Sequence, residues 1–469
     1  LCAIAFAPTG QLSAFMTNAL TVVILAAGAG TRMRSKMPKV LHRLAGRPMI
    51  SHVVATAEAL KPAKLVVVIG PGHDAVAAAV APHPTAIQSK PQGTGDAVKA
   101  ARAQLKGADE VLVLYGDTPL ITAATLRRLL AARRKRKAAV AVLGFRPDDP
   151  SPYGRFVTEG GSLQRIVESK DASAEERKIG LCNAGVMAIA GDQVLKLLDR
   201  LRNDNAKREY YLTDLVALAR KAGHDCTFVE AAVDELQGIN ARAELAAAEA
   251  VMQQRLRAAA MENGATLEDP ASVYLSWDTK LGQDVTIGPN VMFGPGVTVA
   301  DNVTIKGFCH IEGASIAKGA IIGPFARLRP GAALGEDVHI GNFVEVKAST
   351  LGKGAKANHL AYVGDATVGA KVNIGAGVIT VNYDGFGKYR TEIGDGAFVG
   401  SNASLIAPVK LGAGAIIGAG SVIARDVPDE TVAVERSAQS MREGAAPRLR
   451  ERNRARAEAA KAAKKKGKK

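Results

Sequence analysis

A chain of 469 residues, 47% of them hydrophobic, has material for two or three full cores and is not disordered. Its four cysteines form no CxxC pair and no metal-ligand spacing, which excludes a disulfide framework and points to a reducing, cytoplasmic setting; no apolar run is long enough to span a bilayer. The net charge of +16 is unevenly spread, with residues 442–469 holding twelve basic against three acidic side chains.

Residues 1–15 are apolar but lack the Lys or Arg that opens a secretory signal. They are expected to be a disordered or non-native leader, with translation starting at Met16. Short apolar runs at 21–25, 65–69, 111–114 and 138–144 then alternate with helical patterns at 48–60, 94–104 and 122–136. Strands that alternate with helices predict a mostly parallel sheet covered on both faces, whose ligands bind at the carboxyl ends of the strands.

The first strand runs into LAAGAGTRM (25–33) and then PKVL (38–41). A Gly-rich turn in this place offers backbone N–H groups to a polyphosphate, and Arg32 and Lys39 add positive charge beside it. Met33 stands where a dinucleotide fingerprint wants a third small residue, and no GKS or GKT follows, so neither a Rossmann dinucleotide turn nor a Walker A loop fits. A plain strand-to-helix turn is the remaining alternative. The third strand ends in Asp117, whose carboxylate suits Mg²⁺, the cap of the helix from Thr122 or the turn at Pro119. Asn240 stands directly before a helical pattern over 240–261, with Leu245, Met252 and Leu256 on one face; read on its own, it is a helix cap sooner than a ligand.

From Leu281 the period becomes six. Aliphatics recur at Leu281, Ile287, Phe293, Val299 and Ile305, at Ile316, Ile322, Leu328, Leu334, Ile340 and Val346, and at Ile393, Val399, Leu405, Leu411, Ile417 and Ile423. This is the hexapeptide pattern of a parallel β-helix, interrupted at 382–389 by a projecting loop. The Ala-, Lys- and Arg-rich tail has no aromatic for base stacking. It reads as a solvated, disordered or helical segment, with contact to RNA, an anionic membrane or an acidic partner as the sharper alternative.

Taken together, LAAGAGTRM, PKVLHRLAG, QGTGDA, LYGDTPL, YGR, IVESKDA and EYYLTD resemble the sugar-nucleotide pyrophosphorylases. GPFARLRPGA, GNFVEVK, NHLAYVGDA, NIGAG and NYDG follow in the hexapeptide half. In this order, over about residues 21–436, they resemble the bifunctional bacterial N-acetylglucosamine-1-phosphate uridylyltransferase/glucosamine-1-phosphate N-acetyltransferase family. The resemblance implies a Rossmann-like α/β nucleotidyltransferase domain followed by a left-handed parallel β-helix, as a homotrimer with acetyl-transfer sites at subunit boundaries. The expected division is a uridylyltransferase domain over 16–240, a connecting helix over 241–263, an acetyltransferase domain over 264–440 and a basic tail over 441–469.

The resemblance also implies roles. Leu25, Ala26, Ala27 and Gly28 line the uracil and phosphate site, Arg32 and Lys39 hold phosphates, and Gln88, Gly93 and Thr94 contact the uridine. Tyr115, Gly116 and Asp117 flank the reacting phosphate. Gly154, Glu168 and Asn183 bind the amino sugar and its acetyl group, and Ala184 stands where the family often has Thr. Asp117 and Asn240 hold Mg²⁺, which reverses the cap reading of Asn240. In the second half, Arg329 and Lys347 bind the sugar phosphate, His359 is the general base, and Tyr362 and Asn373 contact substrate. Ala376, Asn382, Tyr383, Ser401, Ala419 and Arg436 form the acetyl-CoA site, and Lys388 reaches a neighbouring subunit's site.

The implied reactions are acetylation of glucosamine 1-phosphate by acetyl-CoA, then UMP transfer from UTP to N-acetylglucosamine 1-phosphate. They feed peptidoglycan, lipopolysaccharide and cell-wall precursors, with neither a nucleic-acid partner nor membrane insertion. The alternatives are a single-activity nucleotidyltransferase whose β-helix only trimerises the chain, and a nucleic-acid or surface-tethering protein led by the tail.

Overall fold

The computed structural model describes residues 19–28 and 30–466; the expected leader, Met16, Cys2 and Ala29 lie outside them. The chain divides into two compact units. One runs to Lys280 and includes Met292–Gly296, and the other comprises Leu281–Val291 and the chain from Val297 onward.

The first unit is built on β1 (Leu20–Ala26), β2 (Lys64–Ile69), β3 (Thr85–Ile87), β4 (Glu110–Tyr115), β5 (Val140–Phe145), β6 (Arg155–Glu159), β7 (Ser162–Val167), β8 (Cys182–Ala190) and β9 (Cys226–Glu230). The main sheet has the order β9-β5-β8-β4-β1-β2-β3, parallel except for β8, which runs against β4 and β5. The continuous apolar character of β1 and β4 follows from burial on both sides, since successive side chains alternate between faces. Val23, Val66 and Val113 join one core cluster, while Ile24, Val67 and Leu114 join the other. Helix Thr94–Ala100 covers the first face through Ala97 and Val98, and helix Ala123–Arg136 covers the second through Leu126, Leu129 and Leu130. The helix expected over 94–104 is interrupted at Ala101 and resumes over Arg102–Leu105. The antiparallel hairpin β6–β7, which turns at Gly160 and Gly161, had no counterpart in the sequence reading.

Helix Arg242–Glu262 packs inside this first unit, with Leu245, Ala248 and Met252 against Leu44, Met49, Leu120 and Ile239. The buried Gln253 amide holds the next segment: Nε2 donates to Leu275 O at 2.7 Å and Oε1 accepts from Leu275 N at 2.8 Å. The helix and the segment that follows it up to Lys280 belong to the first unit.

The second unit is a left-handed parallel β-helix of three sheets. One inward row shows how the six-residue period works. Ile287, Ile305, Ile322, Ile340, Ala357, Ile374, Val399 and Ile417 stack in register, each over its predecessor one coil earlier. All are at most 3% exposed, so every rung removes an aliphatic side chain from water, worth about 1.5–3 kcal/mol for a Val or Ile. Glycines follow many of these positions because the coils approach closely there. A Cβ on Gly341 would sit 1.9 Å from Asn358 O. The tail forms helix Ala445–Lys466, exposed over residues 446–459.

Candidate functional site

In the first unit a cleft of about 420 Å³ opens at the carboxyl ends of β1, β2 and β4. Its walls include Leu25, Ala26, Ala27, Gly28, Lys39, Gln88, Gly93, Thr94, Tyr115 and Asp117. The parallel pairing of β1 with β4 sets Leu25 beside Tyr115, and Gly116 N donates to Leu25 O at 2.9 Å. Gly30 is required where Lys39 crosses the turn. Its φ is +61°, and a Cβ there would meet Lys39 Cβ.

Lys39 extends its ammonium between two oxygens. It is ion-paired with Asp117 Oδ2 and donates to Asn240 Oδ1 at 2.9 Å. Ile239 N donates to Asp117 O at 2.9 Å, which fixes the 238–240 segment. Neither cap alternative is realised. Thr122 caps the Ala123–Arg136 helix by accepting from Thr125 N at 3.2 Å. Ala241, not Asn240, is the N-cap residue of Arg242–Glu262; Glu244 Oε2 reaches back to Asn240 N and Ala241 N at 2.5 and 3.1 Å, which leaves the Asn240 side chain turned toward Lys39. Two uncharged-or-anionic side-chain oxygens thus converge on one cation. That donor set also fits Mg²⁺, which takes one or two protein oxygens and completes its shell with phosphate and water. Among the described residues no group of three or more His, Cys, Asp or Glu forms a metal cage.

QGTGDA is held against EYYLTD. Leu212 N donates to Thr94 Oγ1 at 3.0 Å, Gly95 N to Tyr210 O at 2.8 Å, and the Gln88 amide to Gly93 O and Asp96 at 3.1 and 2.8 Å. Gly93, at φ +104°, admits no Cβ, which would meet Tyr210 O at 2.7 Å. Tyr115 hydrogen-bonds to Thr94, and burial, aided by Glu168 and Asp117, raises its phenol well above the ordinary value. Glu168 accepts from Thr213 at 3.0 Å, and burial raises its carboxyl too. Asn183 N donates to Gly154 O at 2.9 Å. Gly154 and Asn183 are thus joined to each other, and Gly154 lies near the backbone of Val167, next to Glu168, which acts on Tyr115 of the cleft.

Arg32 is exposed in the turn Thr31–Met33 and does not line the cleft, nor does Gly116. Conversely, Gly70, Pro71, His73 and Glu209 line it without having been anticipated. The signal was GPGHD at the carboxyl end of β2, an end equivalent to those of β1 and β4.

In the second unit Arg329 donates to Glu345 at 2.8 Å and Lys347 lies 3.7 Å from Asp365. The Asn382 amide donates to Tyr362 OH at 3.4 Å and to Asp365 at 2.5 Å. Lys388 contacts Lys347 of its own chain, whose charge pushes the Lys388 ammonium below the usual lysine value. A turn centred on Asp384, which accepts from Phe386 N and Gly387 N at 2.8 and 2.7 Å, carries Lys388 there.

The remaining expected residues share one corner of successive coils. Gly377 N donates to His359 O at 3.3 Å, Asn402 N to Ala376 O at 2.7 Å and Gly420 N to Ser401 O at 2.8 Å, while Arg436 donates to Ala419 O at 3.0 Å. His359, Ala376, Ser401, Ala419 and Arg436 thus form one column. Asn373 lies on the same sheet as the strand Lys356–His359, in register with Lys356 and Phe398. Tyr383 is exposed in the projecting loop.

The chain matches the family described as MobA-like NTP transferase domain over residues 22–260, and the bacterial transferase hexapeptide repeats over 278–313 and 390–425. It is 59% identical to the bifunctional protein GlmU of Paramagnetospirillum magneticum over 436 residues, 92% of this chain and 97% of that protein. It is 61% identical to that of Rhodospirillum rubrum, covering 91% of this chain and 96% of the relative, and 54% identical to that of a Bradyrhizobium species, covering 92% and 97%.

Proposed function

This chain belongs to the family of bifunctional GlmU proteins, and from that membership and the two sites we infer that it acetylates glucosamine 1-phosphate with acetyl-CoA and then couples the product to UMP from UTP. The observation that carries the reading is the presence, in one polypeptide, of a Lys39–Asp117–Asn240 centre beside a Gly-rich turn and of a His359 column on a β-helix.

Uridylyl transfer needs no strong protein base. The sugar phosphate already carries an oxyanion, which attacks the α-phosphorus of UTP in line as pyrophosphate leaves; the protein's part is positioning and charge neutralisation. Lys39 and the backbone N–H groups of Leu25–Gly28 serve that need, with Arg32 at the rim. Gln88, Gly93 and Thr94 address the uridine, Tyr115 and Gly116 flank the phosphates, and Gly154, Glu168 and Asn183 hold the amino sugar. Asp117 and Asn240 would hold Mg²⁺, which supplies further positive charge to phosphate oxygens when bound.

Acetyl transfer requires an amine free of its proton. His359 removes that proton as the nitrogen attacks the thioester carbonyl and the thiolate of coenzyme A leaves. Arg329 and Lys347 anchor the sugar phosphate, helped by Tyr362 and Asn373, and Ala376, Asn382, Tyr383, Ser401, Ala419 and Arg436 cradle acetyl-CoA. The basic patch shared by Lys347 and Lys388 suits a phosphate dianion.

A homotrimer is favoured by an apolar ladder on the corner that leads to His359. Phe308 and Phe325 stack at 5.0 Å between ring centres, and Phe325 and Phe343 at 5.2 Å. All three are about half exposed and hold φ between 57° and 61°, a conformation costly for a bulky side chain. Such a stripe suits burial against other copies of the chain. No helix among the described residues is long and apolar enough to cross a membrane, and Cys182, Cys226 and Cys309 are free and buried. A cytoplasmic enzyme supplying the activated sugar for peptidoglycan and lipopolysaccharide precursors fits these features.

The test is a coupled assay with glucosamine 1-phosphate, acetyl-CoA, UTP and Mg²⁺, omitting one reagent at a time. Formation of the UDP-linked acetylated sugar only in the complete mixture supports the reading. A folded protein that releases neither thiol nor pyrophosphate overturns it.

A further inference from the structure

The GNFVEVK segment supplies Lys347 to the proposed phosphate site, yet its Asn342 has no role in the reactions so far. Strands His339–Asn342 and Lys356–His359 lie in parallel register on successive coils, with Asn342 opposite His359. Asn342 Oδ1 stands 2.7 Å from His359 Nδ1. An amide oxygen can only accept, so this contact requires the proton on Nδ1 and leaves the Nε2 lone pair free. The approach of the two coils is built in next to the pair, because Gly341 lies where any Cβ would strike Asn358 O. His359 is otherwise an exposed side chain at a corner, with several rotamers open to it.

We infer that Asn342 is a positioning residue for acetyl transfer: by accepting the Nδ1 proton of His359, it holds the ring in the one tautomer and orientation in which Nε2 takes the proton from the attacking amine. This rests on the assignment of His359 as the base. If the tautomer exchanged, Nε2 would carry the proton and could not accept another; if the ring turned over, Nε2 would lose its aim. When Nε2 takes the amine proton, the imidazolium keeps its Nδ1–H on the Asn342 oxygen, so the hydrogen bond persists while charge develops. The other titratable groups on these two strands are His339, which is coupled to His359 electrostatically, and Lys356, which acts on His339. A neutral amide orients the ring without adding the negative charge that would trap it as imidazolium.

The experiment uses the full chain and three variants, His359→Ala, Asn342→Ala and Asn342→Asp, with kcat, KM and pH profiles for acetyl transfer. Thermal melting and oligomeric state are measured beside them. Asn342→Ala should lower kcat by about 10- to 100-fold, with KM for both substrates within about threefold, since orientation and not binding is lost. Asn342→Asp should restore much of kcat. It should also move the acid limb of the profile upward by about one pH unit, because a carboxylate beside the ring favours the charged form. If His359→Ala acetylates normally, the assignment of the base fails and this inference with it. If His359→Ala is inactive but both Asn342 variants keep the wild-type kcat and acid limb, the inference about Asn342 alone is wrong. If Asn342→Ala melts early or loses its assembly, Asn342→Asp decides: an unmoved acid limb in that folded variant overturns the inference.

Discussion

The ammonium of Lys39 is ion-paired with the carboxylate of Asp117, across a distance of 78 residues in sequence, and both face the cleft at the ends of β1 and β4. Asp117→Ala leaves that ammonium with only the Asn240 oxygen and removes the anionic half of the proposed metal pair. Uridylyl transfer should fall by at least about 10²-fold, the scale of losing a preorganised electrostatic group, while acetyl transfer continues. Separate pyrophosphate-release and thiol-release assays on the purified variant check this. Loss of both activities in a folded variant would refute two independent sites.

His359→Ala should produce the opposite pattern. General-base catalysis by a positioned imidazole contributes about 10²- to 10⁴-fold, so thiol release should drop by that order with uridylyl transfer unchanged. Wild-type acetylation would remove His359 from the mechanism.

The stacked ladder gives a third expectation. Phe325 lies between Phe308 and Phe343, and Phe325→Glu would place a charge in the middle of the stripe. The variant should elute as a smaller species in light-scattering chromatography and lose acetyl transfer, yet retain uridylyl transfer. A full-sized assembly would show that the ladder does not mediate association.

Asp214 offers a test by pH. Burial, then the nearby Glu168, Asp204 and Asp171, raises its carboxyl from 3.8 to about 6. A carboxyl whose folded value is raised favours the folded state fully at low pH, and that contribution is lost as pH rises from about 4 through about 6. At neutral pH, Asp214 is therefore a net cost. Asp214→Asn should stabilise the first unit by about 1 kcal/mol near pH 7.5, after discounting for solvent screening, with the gain gone near pH 4. Urea melts at the two pH values measure it; a gain independent of pH would contradict the titration.

Glu110 is fully buried on β4, paired with Arg133 and, at 2.6 Å, with Arg134. Glu110→Ala strands the largely buried Arg133 guanidinium and should cost about 3–5 kcal/mol. A fall in the denaturation midpoint of the first unit checks this. A loss below about 1 kcal/mol would mean that Arg133 finds water or another acceptor.

What the sequence determined by itself was carried by neighbouring residues. Continuous apolar runs marked β1 and β4, and apolar residues at six-residue steps in three runs between Leu281 and Ile423 marked the β-helix, because each pattern records which side chains face a core. The Gly-rich turn was legible for the same local reason. The β6–β7 hairpin was not, since no local pattern marks it, and GPGHD signals His73 as a cleft wall only once β2 is placed beside β1. Asn240 shows where local reading stops. A short amide before a helix reads locally as a cap sooner than a ligand, and only the tertiary structure removed the cap, by sending Glu244 to the free N–H groups and bringing Lys39 to Asn240 Oδ1. Likewise, the register of two coils joined Asn342 to His359, 17 residues further along. Periodicity determines which way a side chain faces; which distant side chain it meets depends on the order of strands and the pitch of coils, and these exist only once the chain has closed on itself.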